Sequence, residues 1–487
     1  MAAVSTDVLV VGAGAAGIFT AALLKEKGLD VLVLEEKDTI GGICQTRHSE
    51  RGEAHVYDLT TTFVCNEPGS VLHQLFAGLG IDLLPYRPAV CFDTTRGAST
   101  LPPSATKFTQ LQLLESLEHV GEYCGGLFGP AADRAARHLD VLEVAEAMDK
   151  HSPGSSVLSL REWASVDDLR LPFSTVFCEM TNPNGGAPFM EAPAAYVIAS
   201  LQHLCSPVVY GTFLIGRMVG PRNKTSLDAV RAQEVEGRVL SLFAFPPTDP
   251  LASAPPAWVV AQGYGSLFVR LAERHQLHIM HRHRVESLEV GSPHTLCVAP
   301  LDENAPRITV TAKSVVFACS PGALVGVPSF RTLSHPPRPK YISIAARVTG
   351  LRTKSAVYYP AAAADHSWES ASPEDVLPVF HLLGTQRHAD NNVLVMWLYA
   401  HGVASLDASH RAFAAAVERQ KGRVEEFLDV WEDAAWPAFI HPADFHAALR
   451  ATRDMQTRRV FCVGERMASL YVNNIYHHAR ALCSRFF

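Results

Sequence analysis

A chain of 487 residues is long enough for two to four compact units at roughly 150 residues each. Its residues are 48% hydrophobic and 19% charged, enough apolar content for large cores, which excludes wholesale disorder. The formal charge is −7, from 42 Lys and Arg against 49 Asp and Glu with no long basic run, which argues against an electrostatic nucleic-acid binder.

Val8-Leu9-Val10-Val11 reads as a short strand buried on both faces of a parallel sheet. Gly12 to Gly17 make a turn, Ala15 to Lys27 an alanine- and leucine-rich helix ended by Gly28, and Val31 to Leu34 a second strand. The apolar stretch Val8 to Leu24 is neither signal peptide nor membrane span, because Asp7 precedes it and glycines interrupt it. From Lys107 to Lys150 the pattern is helical, with Leu111, Leu114, Leu117, Val120 and Cys124 at three- and four-residue spacing, continued by Leu139, Leu142 and Ala145. Ser159 to Leu204 is mostly helical in pattern, broken at Asn182 to Gly186, and Pro246 to Pro256 holds five prolines in eleven residues and must be a connection.

Two further strands of Rossmann type are expected, at Val285 to Val290 and Ser314 to Cys319. Arg338 to Val348 and Asn392 to Tyr399 read as longer strands of a second sheet, and Ala412 to Trp431 as an amphipathic helix. Arg459 to Val463 closes as a strand, Gly464-Glu465 as a turn, and Asn474 to Leu482 as a final helix. Strands of one sheet thus come from the start, middle and end of the chain. The expected class is mixed α/β: a Rossmann-type nucleotide-binding domain (1–90, 257–325 and 455–487), a helical and substrate-binding region (91–256) and a substrate-binding domain with a mixed sheet (326–454).

The chemistry starts at Gly12-Ala13-Gly14-Ala15-Ala16-Gly17, a G-x-G-x-x-G between a strand and a helix, with Glu35 eighteen residues after Gly17 at the end of the second strand. In that context Gly12 permits the tight turn, Gly14 lets backbone approach a pyrophosphate, Gly17 lets the helix pack on the strand, and Glu35 accepts from an adenosine ribose. The helix N-terminus favours the diphosphate.

Six residues after Glu35 stands Gly41-Gly42, in Asp38-Thr39-Ile40-Gly41-Gly42-Ile43-Cys44. This pair, the closing Phe461-Cys462-Val463-Gly464-Glu465 and Asn473-Asn474 resemble the flavin amine oxidase superfamily. The resemblance implies FAD, held noncovalently, since neither Cys462 nor Cys483 has the context of a flavin-bound thiol. The candidate cofactor-binding residues are then Gly12, Gly14, Ala15, Ala16, Gly17, Glu35, Glu36, Gly41, Gly42, Cys44, Val285, Gly464, Glu465, Asn473 and Asn474.

Within that superfamily the chain resembles the bacterial FAD-dependent polyunsaturated fatty acid isomerases. The shared places are Gly41-Gly42-x-Cys44, Pro193 to Val197, Gly263 to Leu267, Trp436 to His441, Arg458-Arg459 and Arg485-Phe486-Phe487, with an insertion over Thr212 to Pro255. The resemblance implies hydride abstraction from a bis-allylic carbon to flavin N5 and its return to another carbon, giving a conjugated diene. No side chain is then required as acid or base; position, dryness and cofactor electronics are the protein's part. A free fatty acid needs an apolar tunnel and a carboxylate partner. Arg87 is the candidate partner, against the reading of a surface arginine, and Tyr210 a candidate gate, against ordinary core packing. Tyr57 to Thr62 departs from the family by carrying threonine where a glycine passes the ring.

Alternatives stand beside this. Lys340 ahead of a strand fits an amine oxidase that uses O₂, in which a lysine holds a water at N5, and a non-catalytic flavoprotein is a third reading. His281-x-His283 places two imidazoles on one strand face without a third ligand, so no metal is expected. His477-His478 read as packing or surface positions, and no function attaches to Ala361 to Ala364. Ten cysteines scattered without a C-x-x-C pair support reduced thiols and a cytoplasmic protein, without a transmembrane segment or a C-terminal lipidation or peroxisomal signal.

Overall fold

The computed structural model describes residues 3–48, 56–61, 63–64, 70–86, 91–94, 97–99, 108, 110–129, 138–175, 190, 192–202, 257–302, 304–319, 340–351, 357–358, 376–383, 393–400, 406–419, 421–433, 442–464, 467 and 471–487. Arg87, Asn182 to Gly186, Tyr210, Thr212 to Pro255, Pro246 to Pro256, Ala361 to Ala364, Trp436 to His441 and Glu465, for which expectations were stated above, lie outside the described residues.

Ala3–Val11, Val31–Leu34, His278–Met280, Ile308–Phe317 and Val460–Cys462 run parallel in one sheet. All four residues of Val31–Leu34 are buried, as a continuous apolar run in a sheet covered on both faces must be. The helix Ala15–Glu26 follows the first strand, and Gly28 past its end sits at φ +78. On its far side from Ala3–Val11, Ile308–Phe317 has two partners. Its first half pairs antiparallel with His294–Pro300, and its last three residues pair parallel with Val460–Cys462. Start, middle and end of the chain meet on this one strand.

Val285 to Val290 does not form the parallel strand expected of it. His283–Glu289 runs antiparallel to His294–Pro300, in a meander at the sheet edge. Val285 and Leu288 are buried while Arg284, Ser287 and Glu289 are exposed, an in–out pattern that suits a half-solvated antiparallel strand.

The second sheet has the order Arg423–Asp433, Lys340–Thr349, Val393–Ala400, Val376–Leu383, Val357–Tyr358, Cys91–Thr94, Gly97–Ser99. Ile342, Ile344, Ala346 and Val348 pack one of its faces against Phe413, Ala416 and Val417 of the helix Leu406–Arg419. On the opposite face Ala345, Val393 and Val395 pack against Tyr57 and Leu59. The helix expected over Ala412 to Trp431 stops at Arg419, and Arg423–Asp433 is a strand. Gly422 N donates to Val417 O at 3.0 Å, and Lys421 takes φ +60, which turns the chain. Beyond it Val424, Phe427, Val430 and Trp431 are β-branched or aromatic and find sheet partners.

A helical layer joins Gln110–Phe128, Val141–His151, Leu160–Ser165 and Ala194–Ser200. Val120, Cys124, Leu142, Ala145 and Trp163 share its core with Ala195 and Val197. Capping boxes of Asp140 with Glu143 and Ser159 with Glu162 start two of these helices. Among the described residues no helix is long and apolar enough to cross a membrane, and no cluster of His, Cys, Asp and Glu could hold a metal.

Candidate functional site

The first strand delivers Gly12 to Gly17 at its carboxyl end, where backbone must come very close to backbone. A methyl group on Gly17 would lie 1.8 Å from Gly12 O, so only glycine lets the helix start there. The second glycine pair lies beside this turn. Gly14 and Gly41 form a parallel bridge, Gly41 N donates to Ala13 O at 2.8 Å, and a methyl on Gly42 would meet Gly14 Cα at 2.9 Å. The result is two stretches of bare backbone held against each other at the N-terminus of Ala15–Glu26.

Glu35 stands at the end of its strand; its carboxylate accepts from Ala13 N at 2.7 Å and from Lys37 N at 2.8 Å. It therefore braces the glycine turn that it flanks. Glu36 faces solvent and pairs with Arg284 at 3.7 Å. Ala15, Ala16 and Cys44 are buried at the turn and loop, and Cys44 Sγ lies 3.4 Å from Thr61 Oγ1. Val285 is buried in the meander, off the parallel strands.

The closing segment reaches the same place. A methyl on Gly464 would lie 3.3 Å from Ala16 Cβ, which sets the turn after Val460–Cys462 against the opening helix. The helix Val472–Phe486 follows, with Asn473 and Asn474 buried in its first turn. Asn474 Nδ2 donates to Ser200 O at 2.9 Å, tying this helix to Ala194–Ser200, while Asn474 Oδ1 is a buried acceptor with no hydrogen-bond partner among the described residues. A buried acceptor at a helix N-terminus is one that a bound donor would satisfy. Further along, His477 and His478 are buried; burial lowers them to about 4 and about 3, so both are neutral at pH 7. Burial pushes the Cys483 thiol up to about 12, which removes it as a nucleophile.

Residues that sequence reasoning passed over hold this arrangement in place. Asp58, Thr46, Tyr264 and Gly265 form one hydrogen-bonded group beneath the second glycine loop, and Arg47 pairs with Asp429 of the second sheet at 2.8 Å. Asp58 is 1% exposed, and no local sequence pattern marks it. Beside the loop lies a cavity of about 870 Å³, lined among others by Cys44, Gln45, Thr46, Gln262 and Arg270. His281 and His283 sit at the edge, with His283 Nδ1 against His281 O at 2.6 Å, away from any third ligand among the described residues.

Two facing stretches of bare glycine backbone, a helix N-terminus and a braced acidic residue define a dinucleotide-binding Rossmann site. Residues 10–79 match the family of NAD(P)-binding Rossmann-like domains. The chain is 44% identical over 55 residues to an uncharacterised protein of Acanthamoeba polyphaga mimivirus, 11% of either chain. It is 36% identical over 78 residues, 16% of its length, to a possible lysine-specific histone demethylase of Drosophila melanogaster, 8% of that protein. The chain thus spans about a tenth of the length of the curated relatives it matches.

Solved structures share the whole fold. A CLA-producing fatty acid isomerase from P. acnes superposes with a TM-score of 0.68 at 13% identity over 99% of both chains. Cyclohexylamine oxidase from Brevibacterium oxydans gives 0.59 at 16% identity, over 99% of this chain and 98% of that one. At these identities the likeness is one of fold: a mixed α/β architecture with a Rossmann-like nucleotide domain.

Proposed function

We propose that this chain is an FAD-dependent isomerase that shifts a double bond of a free polyunsaturated fatty acid to give a conjugated diene. The observation that carries the reading is the pair of bare-backbone turns where Gly14 meets Gly41 and Gly42, with Gly464 against Ala16 beside them. When bound there, FAD supplies a two-electron acceptor that takes a hydride from a bis-allylic carbon and returns it to another. The chain's own part is seating and exclusion of water. The N-terminus of Ala15–Glu26 would hold the diphosphate, Glu35 the adenosine ribose, and the first turn of Val472–Phe486, with Asn473 and Asn474, the ring. In this reading Arg87 holds the carboxylate and Tyr210 gates the tunnel. Residues 1–90, 257–325 and 455–487 are the cofactor domain, and 91–256 and 326–454 enclose the lipid in a cytoplasmic enzyme. The resemblance at Gly41-Gly42-x-Cys44 and Pro193 to Val197 and the fold in common with the P. acnes isomerase support the choice of substrate.

Anaerobic incubation of the flavin-loaded protein with linoleate tests it. Growth of conjugated-diene absorbance without oxygen uptake is expected; a loaded enzyme that produces no diene would sink the substrate assignment.

A second reading is an amine oxidase-type enzyme that passes electrons to O₂. It is favoured by the local identity to the histone demethylase and by Lys340 at the head of Lys340–Thr349. Release of hydrogen peroxide with a primary amine, in place of diene formation, would select it.

A further inference from the structure

We infer that Asp58 is the positioning residue of the cofactor seat, its buried carboxylate fixing the second glycine loop against the turn at 263–265; the inference rests on the flavin reading above. Asp58 ends the strand Val56–Asp58 and is 1% exposed. Its Oδ1 accepts from Thr46 Oγ1 at 2.6 Å and from Tyr264 N at 2.9 Å. Thr46 Oγ1 in turn accepts from Gly265 N at 2.9 Å. One carboxylate oxygen and one hydroxyl thus take up two successive amides ahead of the helix Ser266–Arg274. Hydrogen bonds to a charged acceptor are the stronger kind, and the positive end of that helix reinforces them.

The geometry carries this anchor to the glycines. Two residues before Thr46, Cys44 N donates to Gly41 O at 3.0 Å, and Gly41 N donates to Ala13 O of the opening turn at 2.8 Å. Leu59, next to Asp58, donates from N to Gln45 O at 2.9 Å, and Gln45 Nε2 donates to Gly42 O. Gly263 fits so tightly that a methyl there would lie 2.1 Å from Thr46 Cγ2. Across the joint, Ser343 Oγ donates to Leu59 O and Ala345 packs against Tyr57, so both neighbours of Asp58 are held by the second sheet. The loop that must lie beside the diphosphate is therefore located by a group outside that loop.

The test compares FAD dissociation constants, the visible flavin spectrum and apoprotein melting for the wild type, Asp58→Ala, Asp58→Asn and Thr46→Val. Losing two charge-assisted bonds should weaken FAD binding at least about tenfold in Asp58→Ala and shift its flavin band. Asparagine keeps an acceptor for both donors, so Asp58→Asn should stay within about threefold of wild type. An Asp58→Ala protein that melts earlier but binds FAD with wild-type affinity and spectrum would reduce Asp58 to a structural role and overturn the inference. Should Asp58→Ala fail to fold, Thr46→Val decides by the same two flavin readouts. A wild-type chain that takes up no flavin sinks the cofactor reading and this inference with it; a flavin-binding wild type matched by its variants sinks only the inference.

Discussion

Gly42 has no room for a side chain: its φ is +60, and a methyl would press on Gly14 Cα at 2.9 Å. The left-handed conformation alone costs a non-glycine residue roughly 1–2 kcal/mol, and the contact adds to it. Gly42→Ala should therefore lower FAD affinity at least about tenfold in a titration of the apoprotein, with far-ultraviolet circular dichroism unchanged. The buried imidazoles predict a pH dependence with a definite sign. His477 and His478 are lowered by burial to about 4 and about 3, so the unfolded chain takes up their protons first as pH falls below about 6.5. Asp140 acts oppositely: burial, then Glu143, raises it to about 6, so its contribution grows as pH falls from there. Between pH 6.5 and 4.5 the two histidines withdraw roughly 5 kcal/mol and Asp140 returns about 2. Melting temperature should fall over that window, and His478→Gln should flatten the fall; a profile that rises would contradict the balance. At this scale the glycines and Glu35 were legible because fixed local spacing dictates them. Asp58 and Thr46 were not, since their partners Tyr264 and Gly265 lie 206 and 219 residues away.

Among the elements, Arg423–Asp433 is the strand that periodicity hid. Phe413, Val417, Val424 and Phe427 fall at spacings that continue a helix, but Gly422 breaks it and Lys340–Thr349 offers an unpaired edge. Partner availability, which is a tertiary property, overrode the local pattern. Phe427 then packs back on the helix, its ring 3.9 Å from His410 and 5.5 Å from Phe413 between centroids. Phe427→Ala should cost about 3 kcal/mol in urea denaturation, since it empties this joint between strand and helix. The hairpin of Thr46–His48 with Val56–Asp58 and the three short strands Phe63–Val64, Leu83–Tyr86 and Ala257–Val260 were equally invisible. Runs of two to four residues carry too little alternation to be read without their neighbours.

For the whole molecule, four of the five parallel strands were readable as largely apolar runs beside turn residues, at Val8 to Val11, Val31 to Leu34, Ser314 to Cys319 and Arg459 to Val463, whereas His278–Met280, three residues opening on a histidine, was not. How the segments interlock was not, since it depends on which half of an edge each strand occupies. If FAD binds only the folded state, a concentration one hundred times its dissociation constant adds about 2.7 kcal/mol. A thermal melt with and without FAD should show that gain as one cooperative shift, because opening turn and closing helix share the seat; separate shifts for the two ends would contradict it. The divided edge of Ile308–Phe317 has a further consequence. Its last three residues wait for Val460–Cys462, and the helix Val472–Phe486 comes later still. A ribosome releasing this polypeptide in order leaves the sheet gapped until residues 460–462 have emerged, so in the flavin reading loading of the prosthetic group follows synthesis of that strand.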